Sequence, residues 1–558
     1  MSPTKGRTGK GLLLLTPLPA GVLLIVLFFV PLLYTTGGAF IVDGGAFIVD
    51  GRFSLKRVAG ILSDPYSLSV IGFTFRQALV STLFSVAVGL PGAWLIGNCD
   101  FPGRRILKSV CMIPFVLPPI LLVLGFVIFY GNNGYLNRAL MALFGLSQPP
   151  LRILYSYWAI IAAHTFYNFP VVMSLTGSAW EQMDRSCEMA SRTLGAGRFR
   201  TFVSVTLPRL LPAVLSSALL VFLFCFTSFA VVLVLGGGPR FTTIEVEIYN
   251  QARRLMNTDQ AAALALVSLF VCIVVVIADI MLQKPVEGLR PAGDCRSAGK
   301  GKAGALVYAL LLAFFVLAPL VSVVVRSFVG SATRAGEKHF SIEQYRGLFS
   351  GSVGQALAGS LIIAASVCIV ALFCSLSLCV YLRRRKSGFL ETVAMFPMAV
   401  SSIIVGLGYY TVSRLLGNIS AHVLIVLAHT VLVIPFAIRT ILPVYRALPQ
   451  SLINSSRTLG CTQAGTFFRV ELPLLRPVLL TAGAFAFAIS FGEMNATMML
   501  STGTVQTLPV LIYRLTDSYN YQGACALGSV LMLVCFGVFA LGQASRREFT
   551  ARVSEEKK

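Results

Sequence analysis

Apolar runs long enough to cross a bilayer recur along this chain, and that recurrence leaves it few folds. A hydrocarbon core about 30 Å thick is spanned by a helix of about 20 apolar residues. Twelve such runs are read, over 12–34, 70–97, 107–130, 153–177, 212–235, 261–282, 305–328, 356–382, 390–413, 420–442, 478–500 and 524–545. In a bilayer every backbone polar group must be satisfied by the protein itself, which leaves helices or a closed barrel. A barrel strand needs only about ten residues of alternating character. These runs are longer and continuous, so an all-α membrane protein of twelve transmembrane helices is predicted. Composition agrees: 56% of the 558 residues are hydrophobic and 12% are charged, against roughly 25% charged in soluble domains.

The net charge is +23, which in a soluble protein would raise nucleic acid as a partner. Sidedness explains it here. With the N-terminus inside and sides alternating through twelve spans, the inside segments receive the basic clusters. These are Lys5, Arg7 and Lys10; Arg104, Arg105 and Lys108; the 181–211 loop; Lys284 to Lys302; Arg383 to Lys386; the 439–476 loop; and Arg546 to Lys558. About 30 of the 45 basic residues fall there, as the positive-inside rule requires. The first outside segment, with Arg52, Lys56 and Arg57, is the weak case. Both termini are thus placed in the cytoplasm, the lipid bilayer is the medium, and nucleic acid is not an expected partner. The first run is read as a retained span. It is long for a cleaved signal core, and the later spans need its inside start. Twelve cysteines are scattered without a Cys-x-x-Cys pair, so neither a disulfide frame nor a metal site is implied.

The chain also repeats itself. Ser191-Arg192-Thr193-Leu194-Gly195 recurs 265 residues later as Ser456-Arg457-Thr458-Leu459-Gly460. Ala163-His164-Thr165, Pro170, Leu207-Pro208 and Pro212 recur at the same offset. Pro114 and Gly125 match Pro397 and Gly408 at 283, so the first half is 18 residues longer between its third and fourth spans. Two halves of six spans follow: a first half over 1–285, a second over 304–558, and a Gly, Pro and basic linker over 286–303 between them. Six spans each give both halves the same orientation, related by a pseudo-two-fold axis along the membrane normal. Within the first outside segment GGAFIVD, residues 37–43, is repeated at once as 44–50. An outside loop tolerates such a duplication.

The inside loop between the fourth and fifth spans of each half carries the functional signal. In the first half it has a short helical segment, a break at Gly195 and Gly197, an amphipathic stretch and then Leu207-Pro208. Gly and Pro set its corners, giving a helix–turn–helix shape suited to pressing on a partner protein. An alternative reading is an Arg-rich connector that only marks topology, but topology needs charge and not this spacing.

These loops resemble the signature of type I permeases of binding-protein-dependent ABC importers. That signature is Glu-Ala-Ala, a Gly four residues after the second Ala, and Ile-x-Leu-Pro starting ten residues past the Gly. The first loop has Met189-Ala190-Ser191, Gly195, Val205, Leu207 and Pro208. The second has Asn454-Ser455-Ser456, Gly460, Val470, Leu472 and Pro473. The acidic position departs from the pattern: it is Met189, with Glu188 beside it, and Asn454. The resemblance implies that each loop is a coupling helix seated on a cytoplasmic ABC ATPase, two copies in all. It also implies an extracytoplasmic substrate-binding protein and a bacterial cytoplasmic (inner) membrane location. ATP and Mg are then used by the ATPase, and this chain binds no cofactor and has no catalytic or metal site. Its nearest approach to a phosphate loop, Gly293 to Gly301, has the wrong spacing and lacks the hydroxyl that such a loop requires.

A fused pair of halves resembles the thiamine permeases and the ferric-iron permeases. The stretch Cys225 to Tyr249 resembles the thiamine type, so thiamine or its phosphates is the expected substrate and ferric iron the alternative. Candidate pathway residues are Glu493, Asn495 and Ser228. A carboxylate inside a span is costly and should face a cavity or a partner. Glu493 is read as meeting a cationic substrate or as bridging helices. His164 and His429 occupy equivalent positions and read as symmetric packing, with metal or proton work as the alternative. Asp279 is expected to snorkel or to pair with Lys284. An ion-coupled secondary transporter is the rival of another class. It would carry several acidic residues along its spans, whereas only Glu493 and Asp279 are read there, and it leaves the paired loops unexplained. A membrane-embedded enzyme would need a catalytic cluster, and four histidines in all leave little to build one.

Overall fold

A computed structural model describes residues 25–38, 56–99, 103–184, 186–282, 302–330, 340–349, 351–385, 387–417, 419–501, 503 and 505–555. The Lys5 to Lys10 cluster, Ala39 to Asp50 of the duplicated segment, and the linker up to Gly301 lie outside them. Among the described residues, secondary structure is helical apart from bridge residues at Cys99 and between Val329 and Phe340.

Among the described residues, ten helices are long and apolar enough to cross a membrane. An eleventh is counted if Gly388–Ala399 and Ser402–Leu415, bent by 95°, form one span. A shorter apolar helix, Val26–Gly37, covers the described part of the first expected run. The expected count of twelve is therefore not reached among the described residues, although each expected run overlaps a helix. Phe270, Ile369, Phe373 and Leu533, on three of these helices, are each 68–73% exposed, as side chains facing lipid should be.

Several expected spans are broken. The run at 107–130 is two helices, Arg104–Val116 and Pro119–Tyr130, parted by Leu117 and Pro118. Consecutive prolines remove two backbone donors, and the first forces the residue before it out of the helical region. The matching break in the second half lies before Ser402, where Ser401 caps the next helix by accepting from Ile404 N–H at 3.2 Å. The runs at 212–235 and 478–500 end early, at Phe226 and Gly492, and each is followed by a six-residue helix, Ala230–Leu235 and Asn495–Leu500.

Packing divides the chain into two compact units that do not follow the sequence repeat. One unit holds 54–344 and 512–529; the other holds 1–53, 345–511 and 530–558. In the first unit the leading helix of the second half, Lys302–Ser327, lies on Pro119–Tyr130, and a β-carbon at Gly125 would sit 3.0 Å from the Pro319 carbonyl oxygen. In the other, the leading helix of the first half does the same: a β-carbon at Gly408 would sit 3.1 Å from Pro31. There Tyr409 donates to the Leu27 carbonyl at 2.6 Å, and the Thr35 and Thr411 hydroxyls meet at 2.7 Å. Each leading helix thus packs with the half it does not belong to in sequence.

The core of the first unit pairs Pro65–Asn98 with Tyr157–Gln182. Gly89, Gly92 and Gly97 line the contact, and a β-carbon there would come within 2.8 Å of Val172, 2.6 Å of Met173 and 2.7 Å of Trp180. Small residues of this kind let membrane helices approach closely, where no hydrophobic force drives them together. Outside the membrane, Asp64 caps Pro65–Asn98 by accepting from both the Ser67 hydroxyl and its N–H. The two donors hold its carboxyl below the usual carboxylate range.

Candidate coupling loops and a membrane-embedded polar site

Both loops fold as the spacing predicts, and to closely similar geometry. In the first, the helix Ser186–Thr193 ends at Gly195 with φ +85°; in the second, Gln450–Thr458 ends at Gly460 with φ +85°. A left-handed residue at a helix end is disfavoured for any side chain with a β-carbon. Gly195 N–H reaches the Arg192 carbonyl at 3.0 Å, and Gly460 N–H reaches that of Arg457 at 3.0 Å. Across each turn a serine meets a threonine, Ser191 with Thr201 and Ser456 with Thr466, both at 3.2 Å.

The Leu-Pro pairs enter their spans through one π-helical turn, Phe202–Thr206 and Phe467–Glu471, which contain Val205 and Val470. Leu207 N–H bonds back to Phe202, and Leu472 N–H to Phe467. Pro208 and Pro473 follow and supply no donor of their own. Ala190, Ser455, Gly195 and Gly460 are exposed. Leu194 and Leu459 are 88% and 85% exposed. These leucines belong to no membrane-spanning helix, so each loop presents an apolar anchor among polar neighbours.

The departure at the acidic position has a structural counterpart. Glu188 accepts from the Thr206 hydroxyl at 2.6 Å, tying the first loop helix to its π turn. The equivalent positions hold Ile453, which is buried, and Glu471. Glu471 turns away from its loop helix. It accepts from the Tyr445 hydroxyl and lies 3.9 Å from Arg383, whose guanidinium stacks 4.5 Å from the Tyr445 ring. This trio, with Tyr445 and Glu471 buried and Arg383 partly so, was not anticipated from the sequence. Its one sequence signal is an acid directly before Leu472-Pro473, at a helix entry.

Glu493 does not lie inside a continuous helix, as expected, but at the break after Gly492. Its backbone is extended there, with ψ 122°, which ends the helical hydrogen bonding. The side chain caps the next helix: Ala496 N–H donates to Oε1 at 2.9 Å. Asn495 donates to Ser402 at 3.0 Å, at the 95° bend. Ser228 occupies the position equivalent to Glu493, at the matching break after Phe226. The carboxylate is thus confined to one half.

The histidines are buried in both halves. His164 Nδ1 lies 3.2 Å from Ser81, while His429 meets Ser490 at 3.0 Å and Thr497 at 3.1 Å. Their partners come from non-equivalent helices. Asp279 accepts from Ser216 at 2.5 Å; Lys284 lies outside the described residues. Two further buried carboxylates escaped the sequence reading, Glu245 and Glu247. Ser268 donates to Glu245 at 2.8 Å and Tyr66 to Glu247 at 3.0 Å. Acids alternating with Ile244, Val246 and Ile248 were the available signal.

Comparison with known proteins supports the same reading. The chain is 27% identical over 503 residues to the thiamine transport system permease protein ThiP of Brucella abortus (strain 2308), covering 87% of this chain and 89% of that one. Against ThiP of Salmonella typhimurium it is 29% identical over 503 residues, covering 86% and 89%. It is 26% identical over 536 residues to the ferric transport system permease protein FbpB of Actinobacillus pleuropneumoniae, covering 93% and 76%. Residues 89–284 and 367–549 each match the family described as binding-protein-dependent transport system inner membrane component. With one match in each half, together spanning more than half its length, this chain belongs to that family as a fused, two-copy member.

Proposed function

We propose that this chain is the membrane-spanning subunit of an ATP-driven importer for thiamine or its phosphates, with both termini in the cytoplasm. Two copies of a separate ABC ATPase seat on the loops centred at Gly195 and Gly460. An extracytoplasmic binding protein delivers the substrate. The observation that carries this reading is the pair of matched loops, which present Leu194 and Leu459 almost fully exposed beside equivalent left-handed glycines. A fully exposed leucine on a folded turn is suited to a pocket on another protein. Closure of the ATPases on ATP moves the two loops, and the attached helices switch the side from which the pathway opens. The ThiP relatives support thiamine as the substrate. The FbpB relative keeps ferric iron as the second reading.

Reconstitution tests it. Proteoliposomes holding this chain, its ATPase and its binding protein should accumulate labelled thiamine only with ATP and Mg. Uptake driven by a proton gradient without ATP would sink the proposal. Iron held tightly by the binding protein would transfer it to the second reading.

A further inference from the structure

The segment in which the first half is 18 residues longer helps to line a cavity. Between Tyr130 and Tyr157 the chain forms a short helix, Tyr135–Phe144, and a return loop; the second half crosses the same gap from Leu416 to Ala421. Within the first compact unit these residues enclose about 420 Å³ together with Arg326 and the 519–521 turn, a volume in the range of small-ligand pockets. The cavity adjoins the start of Tyr157–Gln182, and the first coupling loop adjoins its end. A 26-residue helix separates the two by about 39 Å, so the cavity lies on the face away from the loops.

Its lining is chemically one-sided. Tyr135, Tyr155, Tyr519 and Tyr521 surround Arg138 and Arg326, and no acidic residue lines it. Among the described residues neither arginine pairs with a carboxylate. Tyr135 lies within electrostatic reach of both arginines, and Tyr155 lies within reach of Tyr521. Two of the tyrosines sit on left-handed backbone, Tyr155 at φ 57° and Tyr519 at φ 60°. Side-chain-bearing residues rarely take that conformation, and it concentrates at ligand clamps. Room for Tyr155 comes from Gly237, where a β-carbon would lie 2.8 Å from its Cβ.

We propose that this cavity binds a phosphate group. Arginine forks match phosphate oxygens in pairs. Two guanidinium groups and several phenol hydroxyls offer more donors than the roughly four acceptor sites of a carboxylate. The tyrosine rings suit an aromatic or otherwise apolar body beside the phosphate. The phosphate belongs either to a soluble ester or to an anionic lipid headgroup.

The test uses the intact chain in nonionic detergent, titrated with phenyl phosphate by calorimetry, with phenyltrimethylammonium as the opposite-charge control. Saturable binding of phenyl phosphate is expected, weakened at least tenfold in Arg138→Gln and in Arg326→Gln. Arg138 is exposed, so its variant should melt as the parent does. In nanodiscs, phosphatidylglycerol that displaces phenyl phosphate where phosphatidylcholine does not identifies a headgroup. Displacement by neither lipid identifies a soluble ester. Absence of any effect of phenyl phosphate and of phosphatidylglycerol overturns the proposal. So does equal binding of phenyltrimethylammonium, or unchanged affinity in both arginine variants.

Discussion

Lys108 pairs with Glu181 at 2.7 Å, and the equivalent positions of the second half hold the same bridge with its polarity reversed, Glu391 with Arg446 at 2.7 Å. In both halves the bridge fastens a short helix, Arg104–Val116 or Gly388–Met395, to the end of the span that leads into the candidate coupling loop. The contact is retained while the charges are exchanged, so its geometry is what the two halves share. Arg104 adds a second contact to Glu181 in the first half.

Reversing one partner tests the bridge. Arg446→Glu should lower stability by about 1 kcal/mol or less, since both side chains are more than a third exposed and solvent screens them. Adding Glu391→Arg, which installs the polarity of the first half, should restore it. Thermal unfolding of the two single variants and the double variant in detergent reads the coupling.

Gly195→Ala and Gly460→Ala should each cost about 1–2 kcal/mol of local backbone energy. Nothing lies within 4 Å of either β-carbon position, so φ alone is responsible. Asn, which tolerates the left-handed region, should cost less. ATP-driven uptake should fall more for Ala than for Asn at both sites. Equal loss for the two would mean that the turn conformation is not what matters.

Glu471→Ala removes the carboxylate beside Arg383, which keeps its bond to the Leu448 carbonyl at 3.1 Å, and removes the acceptor of the Tyr445 hydroxyl. Loss of one member of a fully buried pair costs about 3–5 kcal/mol, and the retained Leu448 contact of Arg383 should keep the loss below that. Glu471→Gln keeps an acceptor and should cost less. Denaturant unfolding of the purified chain measures both.

Glu493→Gln preserves an oxygen for Ala496 N–H, so the following helix should form and melting should be unchanged. Glu493→Ala removes the cap, at about 1 kcal/mol. If the carboxylate meets a cationic substrate, the Gln variant should also lose uptake at least tenfold. Full uptake by that variant would leave Glu493 with the cap alone.

Much of this protein follows from properties read along the chain. Residence in the bilayer follows from the length and continuity of apolar runs, because a lipid solvent penalises every unsatisfied backbone group. The repeat and its two loops follow from spacing. A glycine just past a helix end can take the left-handed conformation that other residues avoid, and Gly195 and Gly460 both take it.

What tertiary structure decided are the relations between distant residues. Pro31 packs on Gly408 and Pro319 on Gly125, so the leading helices are exchanged between packing units. Glu493 and Ser228 lie at helix breaks rather than inside spans. Glu471 finds Tyr445 and Arg383, and Tyr519 and Tyr521 reach the cavity that the longer segment of the first half helps to line. Periodicity reports which solvent a residue prefers, whereas a partner is set by how helices cross. In a membrane that crossing depends on close packing and polar contacts rather than on hydrophobicity, so hydropathy along the chain carries no trace of it.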